Sequence, residues 1–124
     1  MEQLHKAKGA GPDRHLHHEQ DELFFVLAGE YIAEIGSVKF HLKTGDSVLG
    51  PRGIPHAYAF VGPTPGRMLI SYAPAGKMEA YFKHFSEPRG AAPTDTSPEA
   101  IKKWKIADYA EYGMEYVGPP LTIE

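Results

Sequence analysis

The chain contains no cysteine, which excludes disulfide bonds, thiolate-bound zinc and a cysteine nucleophile. It has no run of about 18 or more apolar residues, so we expect no membrane-spanning helix and no membrane partner. The 16 acidic and 13 basic residues form no block of like charge, which argues against nucleic acid as a partner. The N-terminus lacks the apolar stretch of a secretion signal, so we expect a cytoplasmic protein.

Glycine and proline are abundant, at 13 and 11 of 124 residues, and they separate short apolar segments at regular spacing. This pattern is typical of a single all-β domain, either a sandwich or a barrel. Residues 1–13 are expected to form an edge segment, and residues 62–66 a loop. The predicted strands span residues 14–18, 22–28, 30–35, 38–43, 47–49, 56–61 and 67–73.

The last third of the chain has a helical pattern instead. The stretch 86–97 is predicted to be an exposed connection, followed by a second helix that ends near Gly113 and by an extended tail at 114–120. We expect these helices to cover an open end or a face of the β core. Accordingly, residues 1–90 would form the barrel with its site, and residues 91–124 would pack on it within one domain. The first helix should bury the face formed by Met78, Tyr81, Phe82 and Phe85.

Three of the seven histidines lie within four residues, ahead of a carboxylate and an apolar run. In a strand, residues two apart point to the same face, so His15 and His17 can converge on one point. His18 would then lie on the opposite face and is expected to be exposed. Glu22 begins the next strand, and two imidazoles with a carboxylate suit a first-row transition metal.

His56 is the candidate for a fourth ligand. It begins a strand after a loop in which Pro51 and Pro55 fix the backbone. The resulting set of three nitrogens and one oxygen would accept one divalent ion of Fe, Mn, Ni, Co, Cu or Zn without selecting among them. A six-coordinate ion would keep two positions free for O₂, water or substrate.

The remaining histidines give weaker signals. His41 shares its strand face with two lysines and should face solvent, and His84 lies off the apolar stripe of its helix and should be exposed. His5 lies near the terminus and is uninformative, while Glu19 and Asp21 are expected to be solvated turn charges. The chain has neither a nucleophile-elbow motif nor a glycine-rich phosphate loop.

Two gap-free motifs resemble those of the cupins. The first is Gly9-x5-His15-x-His17-x4-Glu22-x6-Gly29, and the second is Gly45-x5-Pro51-x-Gly53-x2-His56. The resemblance implies a double-stranded β-helix, or jelly-roll barrel, with His15, His17, Glu22 and His56 as metal ligands, and it implies a homodimer. The second motif normally closes with asparagine four residues after its histidine, where this chain has Phe60.

Within that superfamily, the stretches around Phe24, the Pro51–His56 loop and the tail are similar to small single-domain proteins related to quercetin 2,3-dioxygenases. The resemblance implies an O₂-dependent dioxygenase that acts on a small aromatic or enolic molecule, with Glu22 also serving as a catalytic base. A non-oxidative isomerase, decarboxylase or lyase, and a binding protein without turnover, remain open alternatives.

Strand alternation identifies residues that would line a pocket beside the metal if the ligands point inward. An aromatic wall with few polar groups suits a small planar substrate. The alternative is that the same side chains simply fill the barrel, as in small closed barrels. The candidate substrate-binding residues are Phe24, Tyr58, Phe60, Met68 and Tyr72.

Overall fold

The fold is built on antiparallel strands, and the computed structural model describes residues 1–86 and 94–122. Two helices follow the first seven strands, and an eighth strand follows them. The elements are β1 (Glu2–His5), β2 (Gly9–Ala10), β3 (Arg14–His17), β4 (Asp21–Ile35), β5 (Val38–Leu42), β6 (Ser47–Gly50), β7 (His56–Ala73), α1 (Met78–Ser86), α2 (Pro98–Glu111) and β8 (Met114–Gly118).

The long strands β4 and β7 pair along most of their length and organise the sheet. The order is β5-β4-β7-β3-β8, while β6 also pairs with β4, and β1 and β2 also pair with β7. Every pairing among the described strands is antiparallel. The all-β prediction and the edge position of the N-terminal segment are therefore confirmed.

The inner faces of β4 and β7 carry the main core, because alternate residues of a strand point to one face. Burying each large apolar side chain contributes about 1.5–3 kcal/mol to the free energy of unfolding. This core fixes the register of the two strands that also carry Glu22 and His56. Its buried members are Phe24, Val26, Tyr31, Ala33, Leu42, Tyr58, Phe60, Met68 and Ile70.

Two predicted strand boundaries are wrong. The segments 22–28 and 30–35 form one strand, and Gly29 lies at a shift of register rather than at a strand end. Its φ of 87° explains why a glycine stands there. Similarly, the predicted loop at 62–66 belongs to β7, where Gly66 pairs with His5. Strand β7 continues through these residues because it pairs with β1, which is distant in the sequence. The local residue pattern therefore did not predict it.

The predicted helices are confirmed, and they pack against the barrel. Ser97 caps α2, where its hydroxyl accepts a hydrogen bond from Ala100 N at 3.3 Å. After α2, Gly113 has a φ of 78° and leads into β8, which pairs with β3. A second apolar cluster joins these elements to the barrel, and its buried members are Met78, Tyr81, Tyr109 and Met114.

Some sequence predictions fall outside the described residues. They include the expected boundary at residues 90 and 91, most of the connection 86–97, and the side chain of Phe85. Among the residues that are described, no helix is long and apolar enough to cross a membrane.

Gly66→Ala should destabilise the protein, because an added Cβ would lie 2.3 Å from a ring carbon of Phe60. Overpacking of this kind costs about 1–3 kcal/mol, measured as the free energy of urea unfolding. Gly9→Ala is the matched control, since no described atom lies within 4 Å of its added Cβ. Equal stability of the two variants would contradict the packing described for Phe60.

Candidate metal centre

Four side chains that could bind a metal converge at one end of the barrel, from β3, β4 and β7. One donor atom from each of His15, His17, Glu22 and His56 lies within 4.8 Å of the others. All four residues are buried, with exposures of 8%, 1%, 3% and 2% respectively. The structure thus brings together the four predicted ligands, and they could hold a metal ion.

The distances within the cluster fit a shared ion. Glu22 Oε2 lies 2.7 Å from His56 Nε2 and 3.0 Å from His17 Nε2. Two ligand atoms about 2.1 Å from a metal and at a right angle to each other lie about 3.0 Å apart. Within the described part of the chain, these three atoms form no hydrogen bond of acceptable geometry despite the short distances. Buried polar atoms need a partner, and one metal ion would serve all three.

Hydrogen bonds orient two of the imidazoles toward the common point. His15 Nδ1 donates to Asp13 O at 2.6 Å, which leaves its Nε2 free to bind a metal. Gln20 Nε2 donates to Ala75 O at 2.6 Å, and this contact assigns its other amide atom as the oxygen. That oxygen accepts from His17 Nδ1 at 3.2 Å, so His17 directs its other ring nitrogen, Nε2, toward Glu22.

The loop that precedes His56 is fixed to the other ligand strands. Gly53 N donates to His17 O at 2.7 Å, and Arg52 N donates to Asp21 Oδ1 at 2.9 Å. The Arg52 guanidinium adds a contact to the same carboxylate at 3.2 Å. Asp21 therefore joins the loop to β4. Its carboxylate is solvated, as predicted, with the side chain 37% exposed, but the residue belongs to β4 and not to a turn.

The electrostatics of the cluster favour a carboxylate at Glu22 and a neutral imidazole at His15. Burial acts to raise the pKa of Glu22, but its contacts with His17 and His56 outweigh burial and lower that pKa below the ordinary value. Burial, together with the neighbouring His56, lowers the pKa of His15 to about 4. These are the protonation states in which such groups bind metals.

A cavity of about 560 Å³ opens beside the cluster and reaches His15 and Glu22. Of the five candidate substrate-binding residues, Tyr58 and Tyr72 line it. Burial and the charge of Glu22 raise the pKa of Tyr72, as does a hydrogen bond from its hydroxyl to that carboxylate. The other three, Phe24, Phe60 and Met68, lie in the barrel core, with 1%, 1% and 0% of their surface exposed.

The C-terminal part supplies the other wall of the cavity. Lys105 Nζ lies 3.0 Å from Asp13 Oδ2, and Tyr109 Oη donates to the same carboxylate at 3.3 Å. The Tyr109 ring also meets the His15 ring edge-on, with centroids 5.6 Å apart. Helix α2 is therefore tied directly to the segment that holds the first ligand, a contact that no local sequence pattern indicates.

The remaining histidines separate into two groups. The side chains of His18 and His41 are 54% and 57% exposed, as predicted. His84 is only half-exposed and its Nε2 lies 3.0 Å from Asp108 Oδ1, so it joins the two helices and the prediction of a solvent-facing residue is wrong. His5 lines the cavity, which its position near the terminus did not reveal. The signal that could have found it is the alternation of Gln3 and His5, since both line the cavity.

Sequence comparison finds a match to the family model of the cupin domain over residues 4–72, more than half of the chain. An uncharacterized protein of Methanocaldococcus jannaschii is 31% identical over 61 residues, which is 48% of this chain. The chain spans about half of that relative's length, 49%.

Solved structures share the fold. A Thermus thermophilus protein has 22% identity and a TM-score of 0.53, over 57% of this chain and 67% of its own. The cupin domain of Schizosaccharomyces pombe Cnp3 has 17% identity and a TM-score of 0.52, over 57% and 48%. An oxalate oxidase in complex with glycolate has 24% identity and a TM-score of 0.52, over 57% and 39%.

His56→Ala and Glu22→Gln should each lower metal content sharply, because each removes one of four converging donors. Elemental analysis of protein purified without a histidine tag or chelating resin measures this loss. His41→Ala is the control, since that histidine lies on the solvent face beside Glu30. A large loss of metal in the control, or none in the two test variants, would contradict the proposed ligand set.

Gln20→Met should weaken metal binding about 10- to 100-fold without removing a ligand. Methionine has a similar length but cannot accept the hydrogen bond of His17 Nδ1, so the ring loses its fixed tautomer. Competition with a chromophoric chelator gives the affinity, and circular dichroism checks the fold. Unchanged affinity in a folded variant would show that Gln20 does not orient the ligand.

Proposed function

We propose, since this chain belongs to the cupin family, that it is a mononuclear metalloenzyme, an O₂-dependent dioxygenase acting on a small aromatic or enolic substrate. The observation that carries the proposal is a cluster of four buried donors beside an aromatic cavity, which two of them, His15 and Glu22, line. A purely structural metal site would need no adjacent cavity, and a pocket that only binds a ligand would need no buried cluster of metal donors.

The donor set would hold one divalent transition metal through His15, His17, Glu22 and His56. When bound, such an ion supplies Lewis acidity and, if redox-active, a route for electrons between substrate and O₂. The protein contributes a fixed geometry, because three strands and two hydrogen-bonded imidazoles hold the donors in place. Those fixed donors would leave the cavity side of the site open to substrate.

The cavity walls suit a planar substrate. Tyr58 and Tyr72 come from β7, and Tyr81, Phe82 and Trp104 face them from the two helices. Aromatic faces stack on a flat ring and exclude water from its edge, which favours binding of an apolar ring system. With a volume of about 560 Å³, the cavity lies in the range common for small-molecule sites.

Glu22 is the proposed proton acceptor as well as a ligand. It lines the cavity, so a substrate hydroxyl that enters the site comes within reach of its carboxylate. Tyr72 lines the cavity as well, where burial and the charge of that carboxylate raise the pKa of its hydroxyl and keep it a hydrogen-bond donor. A small-molecule substrate and a homodimer, as expected from the sequence, belong to this proposal.

Turnover can be measured as O₂ uptake with flavonols and 1,3-diketones, using protein reloaded separately with Fe, Mn, Ni, Co, Cu and Zn. We expect O₂ uptake to match substrate loss with at least one redox-active metal, and removal of O₂ or of the metal to abolish it. Glu22→Gln should reduce the rate by at least about 100-fold, since it affects both binding of the ion and proton transfer.

Two results would replace this proposal with another function. Substrate conversion that continues without O₂, and with redox-silent zinc, would identify a non-oxidative cupin isomerase, decarboxylase or lyase. Tight retention of an unchanged flavonol with every metal, and no product, would identify a binding protein.

A further inference from the structure

A hydrogen-bonded pair outside the donor cluster, His5 and Tyr31, reaches the cavity through His5. His5 Nδ1 lies 2.6 Å from Tyr31 Oη, and His5 lines the same cavity as Glu22 and His15. Strand β1 brings His5 there by pairing with β7, where His5 stands opposite Gly66. The cavity therefore has polar groups at two places, the donor cluster and His5.

Aromatic rings hold the His5 imidazole in one orientation. It stacks on Phe60 with centroids 5.8 Å apart and planes 23° apart, and it meets Tyr31 and Tyr58 edge-on at 5.4 and 6.1 Å. Phe60 is itself confined, since a Cβ at Gly66 would lie 2.3 Å from its ring. An imidazole fixed in this way can recognise a ligand group without losing much side-chain entropy.

The pair is not needed to stabilise the barrel. Tyr31 is fully buried, so leaving its hydroxyl without a partner would lower stability. Replacing both residues by apolar side chains of the same shape would leave stability nearly unchanged or raise it. Burial lowers the pKa of His5 and raises the pKa of Tyr31 to about 12, so both are neutral near pH 7. The hydrogen bond to Tyr31 uses Nδ1, so Nε2 is the ring nitrogen of this cavity-lining residue that is left to bind a ligand.

The charges along the described cavity wall already have partners. Lys105 pairs with Asp13, Asp108 pairs with His84, and Glu22 contacts His17 and His56. The ammonium of Met1 donates to Ile70 O at 2.8 Å. A neutral hydroxyl or carbonyl on the ligand is therefore the group that matches this part of the cavity. A sphere of 560 Å³ is about 10 Å across, the scale of a two- or three-ring planar molecule.

We infer that His5, fixed by Tyr31 and Phe60, is a specificity-determining residue whose Nε2 hydrogen-bonds a neutral polar group at the end of the substrate remote from the metal donors. The inference rests on the proposed function, which places the other, enolic end of the substrate at those donors. It defines the substrate class as a planar aromatic or enolic molecule with a hydroxyl or carbonyl at each end.

Two matched flavonols test this inference as binding probes. Kaempferol carries a hydroxyl at the far end of its pendant ring, and galangin is the same molecule without that hydroxyl. Anaerobic absorbance titration of the metal-loaded protein gives both dissociation constants without turnover. We expect wild type to bind kaempferol about tenfold more tightly, the effect of one neutral hydrogen bond.

The variant His5→Phe keeps the ring stacked on Phe60 but removes the polar nitrogen. The double variant His5→Phe/Tyr31→Phe also removes the buried hydroxyl, so that a poorly folded single variant does not obscure the result. In both, the kaempferol preference should fall to about one, with galangin affinity and metal content unchanged. His5→Gln should restore part of the preference, because its amide can hydrogen-bond again.

A tenfold preference that persists in the double variant would overturn the inference, as would equal binding of both probes, or of neither, by wild type. The proposed function fails differently. Metal-loaded protein that binds the probes with the expected preference but consumes no O₂ would contradict the dioxygenase and leave the role of His5 standing.

Discussion

The structure depends on keeping a carboxylate and three imidazoles together in the interior of a barrel. Removing an ionised carboxylate from water is costly unless opposite charge or hydrogen-bond donors surround it. Here Glu22 meets His17 and His56 at 3.0 and 2.7 Å, so its environment is made by side chains from two other strands. The strands that carry the four residues must therefore hold their register, which the long pairing of β4 with β7 provides.

The family match and the cavity come from different parts of the chain. Residues 4–72 match the cupin domain and contain all four donors. Much of the opposite wall comes from residues beyond that match, including Tyr81, Trp104 and Tyr109. The matched residues thus contain the donors, while the two helices supply much of the wall across the cavity. The contacts of Asp13 with Lys105 and Tyr109 couple the two parts next to His15.

The departure of Phe60 from the usual asparagine has a structural counterpart. Phe60 lies in the core and presents its ring to His5, so an apolar residue on β7 is accompanied by a polar one on β1. A polar group is thereby present in the cavity, but it comes from the N-terminal strand. If His5 has the role that we infer, substitutions in that edge strand will affect ligand binding as well as stability.

The sequence by itself determined the all-β class, the two helices with the Ser97 cap, and the four donors, because strand alternation and local capping act over a few residues. Only the tertiary structure decided which inward-facing residues meet the cavity. Strand alternation predicts which side chains point into the barrel, but it does not say how far along the barrel axis each one lies. This applies to Phe24, Tyr58, Phe60, Met68 and Tyr72. Alternation equally could not reveal the partners of His5 and Asp21 or the α2 contacts, since each partner lies at least 26 residues away. Contacts between distant segments are set by how strands and helices pack, and no local pattern encodes them.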